Sequence, residues 1–366
     1  MDNRDNRDRD NSEINDVRTE SAFKGKTFSE FKKTDVKKEL LNNLVQSKIE
    51  QSCYWSVELV CAGHYCDLWD TLILFYTKNI HTGNPKIAIY LDTRVKNFRD
   101  ILTNGYLGEE LKMRNCDKIR NLFCEVICVL CEAKRMHSYD DAKIRPEDFD
   151  LVHLSDRLRA PSVEFVEGVF KAGDPKEMYV GLNELAYNLS ETVKNSIHAC
   201  YWIEWILEFE KVLKTNKKHL KCERRVFANV NVSLQMDVVW LIWDVILTES
   251  LRHSKFVQSV VQSSLNLFSS KYTTACAKKR KFIMYFAASL LTEPVSQVSC
   301  EITKNKEKIA GIVENIHVLY KQVKTNEHSP NTDYLFTNLG RSNLDKTIEK
   351  LDKMNAFNTE FVPRVV

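Results

Sequence analysis

Asp117-Lys118-Ile119-Arg120-Asn121-Leu122-Phe123-Cys124-Glu125-Val126-Ile127-Cys128-Val129-Leu130-Cys131 is the stretch that decides the fold class. Ile119, Leu122, Phe123, Val126, Ile127 and Leu130 recur at three- and four-residue steps, which is the period of an α-helix. The cysteines widen this apolar arc until polar residues hold only a minority of the circumference. A helix that apolar belongs at the centre of a core.

Outward from this segment the same period repeats. Towards the N-terminus, Val36, Leu40, Leu41, Leu44, Val45 and Ile49 predict a helix with Thr34 as N-cap, running through Cys53-Tyr54-Trp55 to Gly63. A second follows from Asp67, then a loop over His81-Thr82-Gly83-Asn84-Pro85, then a third marked by Leu91, Val95, Phe98 and Leu102. Beyond His137 the period weakens, and Pro146, Pro161 and Pro175 interrupt it. Helical spacing resumes with Leu182, Leu185, Ala186 and Leu189, runs from Cys200 to Leu213, and returns over about 237–251, 254–269, 276–292 and 299–324. Val226, Ala228, Val230, Val232 and Leu234 alternate with period two, which would suit a short strand, but a strand needs a partner and no other stretch offers one.

Ten glycines and seven prolines in 366 residues leave too little turn chemistry for an all-β chain. The expectation is an all-α protein: a multi-helix bundle or array of about ten helices in two packed halves. Residues 1–33 read as a disordered polyampholytic arm, because Asp2 to Glu20 alternates acids, arginines and asparagines with almost no apolar content. Residues 34–140 form the N-terminal half, 141–174 an irregular connection and 175–325 the C-terminal half. A polar tail with one short helix near 343–354 occupies 326–366. Cys53-Tyr54-Trp55 recurs as Cys200-Tyr201-Trp202, and Trp69-Asp70 as Trp243-Asp244, in the same order but at different separations. This weak internal echo fits either an old duplication or reuse of aromatic helix residues.

No apolar run reaches the roughly 18 residues of a membrane span. The first 20 residues lack the apolar centre of a targeting segment, so the eleven cysteines are expected as reduced thiols in a cytoplasmic or nuclear setting. Cys124-x3-Cys128-x2-Cys131 matches an iron–sulfur spacing but lies within a periodic helix, so packing is the simpler reading. Cys61-Ala62-Gly63-His64-Tyr65-Cys66 offers three zinc donors without a partner cluster. No metal site and no cofactor are therefore expected. A phosphate-cradling glycine loop, a nucleophile elbow and a zinc-protease motif are absent, and no catalytic residue is assigned. Glu58 and Glu204, beside tryptophans, read as buried acids bonded to a nearby tyrosine or lysine.

Two basic runs stand out in a chain whose net charge is only +3. One extends from Lys211 to Arg225, the other from Lys271 to Lys281. Lys217, Lys218, Lys221, Arg224, Arg225, Lys278, Lys279, Arg280 and Lys281 are the candidates for binding nucleic acid or an acidic partner. Trp202, Trp205, Trp240 and Trp243 read as core residues that would anchor a partner only if exposed.

Cys53-Tyr54-Trp55-Ser56-Val57-Glu58-Leu59-Val60-Cys61, Gly83-Asn84-Pro85-Lys86, Cys200-Tyr201-Trp202-Ile203-Glu204-Trp205 and Ser329-Pro330-Asn331-Thr332-Asp333-Tyr334 resemble a protein family of large nucleocytoplasmic DNA viruses of the algal giant-virus type. The resemblance spans roughly residues 40–340 and brings no catalytic residue to any position. It implies a host-cell cytoplasm or virus factory, with the nucleus as an alternative. The expected function is a non-enzymatic helical scaffold or adaptor, acting through protein–protein contacts in replication, transcription or assembly. The alternative is a nucleic-acid-binding accessory factor that uses the runs 211–225 and 271–281.

Overall fold

The computed structural model describes residues 12–226, 230–294, 301–303 and 305–328. Every regular element among them is helical, and the one β-bridge joins Lys26 to Lys32. Fourteen α-helices follow one another: α1 (Lys33–Val45), α2 (Ile49–Cys61), α3 (Tyr65–Phe75), α4 (Lys86–Thr103), α5 (Asp117–Glu132), α6 (Leu151–Ser155), α7 (Tyr179–Leu189), α8 (Ser196–Thr215), α9 (Val239–Ser250), α10 (Lys255–Ser269), α11 (Cys276–Lys279), α12 (Lys281–Thr292), α13 (Lys306–Glu314) and α14 (His317–Lys324). None is long and apolar enough to cross a membrane.

α5 is buried on nearly every side, from Ile119 to Cys131, and receives α2, α4 and α13. In the later part of the chain α12 plays the same role, with every residue from Lys281 to Thr292 buried against α8, α9 and α10. Helices distant in the chain also meet, as where α4 packs along α10. Trp202, Trp205, Trp240 and Trp243 all lie inside the core. No aromatic anchor from this group reaches the surface, so a protein-binding face must be built from something else.

Single side chains explain where helices end. The apolar period crosses residues 45–49 without a break, yet the chain turns there with Ser47 at φ +56°. Arg135 caps the end of α1, donating to the carbonyls of Leu44 (2.6 Å) and Val45 and to the Ser47 hydroxyl (2.6 Å). The helix expected over 276–292 breaks at Arg280. The run expected over 299–324 becomes α13 and α14, parted at Asn315-Ile316.

The boundary of the arm expected over 1–33 needs correction. Residues 1–11 lie outside the described residues, but 12–14 and 19–33 pack into the helical body. Ile14, Phe23 and Phe28 are buried. Arg120 donates to the hydroxyl and carbonyl of Ser12, while Asn115 exchanges two 2.9 Å hydrogen bonds with the Ile14 backbone. Polar anchors on the body thus hold a segment whose own apolar content is small. The alternation over 226–234, which lacked a partner strand in the sequence, forms no strand among the described residues, three of its positions (227–229) lying outside them. Cys222 and Arg225 donate to the carbonyls of Met236 and Gln235, which closes a loop rather than a ladder, and Val232–Leu234 form a 3-10 turn. The short helix near 343–354 lies outside the described residues.

These elements belong to one compact unit, from residue 12 to 14 and from 19 to 326. In a second, small unit, the described residues Asn15–Arg18 and Glu327–His328 are tied by Val17 donating to the His328 carbonyl and His328 donating to the Asp16 carboxylate (2.9 Å).

Candidate functional site

The two basic runs meet at one acid. Glu208 on α8 bridges Lys211 (3.1 Å) from the first run and Lys278 from the second. Their positive charge is largely matched inside the molecule. Lys218 pairs with Glu177 at 2.5 Å and Lys221 with Asp237 at 3.6 Å. Arg280 is half-buried, clamping Asp70 (2.9 Å) and the carbonyls of Phe268 and Ser270 at the end of α10. Lys217, Arg224 and Lys279 make no ion pair among the described residues and face solvent, although Arg224 donates to Gln235.

Arg225 and Lys281 do not fit the expected binding surface. Arg225 is 3% exposed and its guanidinium is filled: Asp174 takes a two-pronged contact (2.5 and 2.7 Å), Asp244 a third at 2.9 Å, and the Val169 and Glu223 carbonyls the rest. Lys281 is also buried, donating to both oxygens of Glu204 at 3.0 Å and pairing with Asp141 at 2.7 Å. Tyr285 donates to Glu204 from the other side (3.0 Å). A cation fully engaged by buried carboxylates cannot also neutralise a phosphate without leaving those carboxylates unpaired. Glu58 has no such cation and accepts from the Ser29 backbone and hydroxyl and from Tyr54.

Neither cysteine set singled out by spacing comes together. Cys61 is buried and Cys66 exposed, while His64 binds the Lys26 carbonyl at 2.6 Å. Cys131 turns to the Ser52 hydroxyl, 3.9 Å away, and burial pushes its thiol up to about 12. A third set forms instead. Cys53 of α2 meets Cys124 and Cys128 of α5, with the three sulfurs within 4.8 Å of one another and all buried. Positions 124 and 128 share a face of α5 because they are one turn apart. Hydrogen bonding with both neighbours pushes the Cys53 thiol up, reinforced by burial, while accepting those bonds holds Cys128 below the ordinary thiol range.

Above Cys53 the surface opens. A groove of about 640 Å³ runs between α2 and the α13–α14 pair. Ile49, Cys53, Ile312, Ile316 and Leu319 line it, and Glu50 and Lys308 supply opposite charges. Ile312 and Leu319 are only half-buried, since nothing among the described residues covers this side of them. Residues 309–323 carry apolar side chains over more than one helical face, which is the one sequence signal that could have exposed this feature. Comparisons with protein-family models, with curated proteins and with solved structures find no match for this chain.

Proposed function

We propose that this protein is a non-enzymatic helical adaptor that binds a partner protein through the groove between α2 and α13–α14. The groove itself carries the reading: it is open and mostly apolar, with Ile49, Cys53, Ile312, Ile316, Val318 and Leu319 in its lining beside Ser47, Glu50, Lys308 and Asn315. Small-molecule and catalytic sites set a few polar groups around the ligand. A mostly apolar groove between helices suits the apolar face of an amphipathic helix, read through anchors three or four residues apart. Glu50 and Lys308 would orient such a helix by its own charges. The resemblance to a family of large DNA viruses supplies the context of replication, transcription or assembly, in the host cytoplasm or virus factory.

Replacing Ile312 or Leu319 by Asp tests this reading, because both side chains line the groove and neither is fully buried. Each variant is expected to keep the helical circular-dichroism signal and to lose at least about tenfold in partner affinity, the cost of placing a charge in a desolvated contact. Ile197→Asp, at an 80% exposed position away from the groove, is the control. Unchanged partner recovery with both groove variants would contradict the proposal.

Nucleic-acid binding stays as the second reading, favoured by the meeting of the two basic runs at Glu208. Its residues would be Lys217, Lys218, Lys221, Arg224, Lys278 and Lys279, without the buried Arg225 and Lys281 and with Arg280 in a structural role.

A further inference from the structure

We propose that Cys53, Cys124 and Cys128 form a three-thiolate site for a single zinc ion, entered from the groove between α2 and α13–α14. The donors are all sulfur, all buried, and drawn from two helices that the core already holds together. Their sulfurs lie within 4.8 Å of one another, and tetrahedral zinc with Zn–S bonds of about 2.3 Å needs them about 3.8 Å apart. Side-chain rotation of about 1 Å per sulfur closes the difference without moving the helices. Among the described residues no histidine or carboxylate joins the set, so hard cations such as magnesium and calcium find no oxygen ligands in it.

Charge selects among soft ions. Three thiolates around a divalent ion leave one net negative charge, whereas a monovalent ion would leave two in an apolar interior. Lys308, beside the groove, is paired with Glu132 at 3.6 Å, so the site's remaining charge is kept to one by the divalent ion rather than by a free lysine. Binding forms three Zn–S bonds, breaks whatever S–H bonds the three cysteines still hold and releases those protons to solvent, with no change of oxidation state. Cys53, 1% exposed, belongs to the groove lining as well as to the cluster, so an ion would reach the sulfurs from that side. The site would clip α2 to α5. It is separate from partner binding: the groove can hold a helix with or without the ion.

The test uses the full-length, reduced protein stripped with chelator and dialysed against zinc. One equivalent per chain is expected to remain, with zinc K-edge absorption reporting three sulfurs at about 2.3 Å. Cys53→Ser, Cys124→Ser and Cys128→Ser should each weaken zinc binding by more than the roughly 10–100-fold that loss of a second-layer contact costs, whereas Cys131→Ser should not change it. No retained zinc, or a zinc shell of nitrogen and oxygen, would overturn the proposal in the unaltered protein, whatever the variants do. So would an equivalent of zinc that survives all three substitutions.

Discussion

Arg225 is the residue where sequence and structure part most clearly. It sits in a run of lysines and arginines, yet its acids are Asp174, 51 residues earlier in the chain, and Asp244. Arg225→Ala leaves Asp174 buried without its cation and is expected to cost about 3–5 kcal/mol in urea unfolding. Burial alone would raise the Asp174 carboxyl, but the Arg225 fork and the N–H groups of Lys171 and Glu223 overcome it and hold the carboxyl below its ordinary value. A depressed carboxyl contributes stability that is complete above the unfolded value of about 3.9 and is lost as pH falls from there through the lower folded value. The protein should therefore lose stability below about pH 4, and Arg225→Ala should flatten that loss. An alanine variant as stable as the original would show the cluster to be dispensable. Composition and spacing cannot separate Arg225 from Lys217, or Lys281 from Lys279, because long-range partners alone decide which cation is buried. The three-cysteine cluster was half legible for the same reason. Cys124 and Cys128 share a face by their spacing, but Cys53 reaches them only through the packing of α2 on α5.

Helices were the most legible level, since a long apolar period leaves α5, α8, α10 and α12 few alternatives. Their ends were less so: Arg135 stops α1 by capping carbonyls some 90 residues earlier, and Arg280 stops α10 across a loop from the next helix start, which no helical period encodes. Two helical glycines make the same point in opposite directions. At Gly181 of α7 an added Cβ would lie 2.9 Å from the buried Trp205 ring and 3.2 Å from Ile206 of α8, so the two helices meet through the missing side chain. Gly181→Ala should destabilise by about 1–3 kcal/mol through overpacking. At Gly311 of α13 nothing lies within 4 Å, and Gly311→Ala should stabilise by about 0.5–1 kcal/mol through reduced freedom of the unfolded chain. Thermal or denaturant melts of the two variants check the pair, and shifts of equal sign would refute this account of the α7–α8 crossing.

At the scale of the whole molecule, the all-α class followed from period and composition, whereas the surface did not. The tryptophans that invited an interface are interior, and the groove arises where residues 49–53 meet residues 308–319, a juxtaposition that only the fold creates. The basic runs look like a phosphate-binding face in sequence and become a lattice of internal ion pairs in space. With Lys217, Arg224, Lys271 and Lys279 as the cations of the two runs that lack an acidic partner among the described residues, duplex DNA binding through these runs should show a log–log salt slope no steeper than about −4. A slope near −6 would mean that the exposed pairs at Glu208, Glu177 and Asp237 open to release their lysines, and would promote the nucleic-acid reading. The measurement that bears most directly on the adaptor is site-specific cross-linking with a benzophenone residue at position 319, compared with position 197. The account predicts a discrete adduct at 319 alone, abolished by Ile312→Asp, with the captured peptide carrying apolar residues three and four apart. Equal labelling at both positions, or an adduct at 319 indifferent to Ile312→Asp, would contradict it.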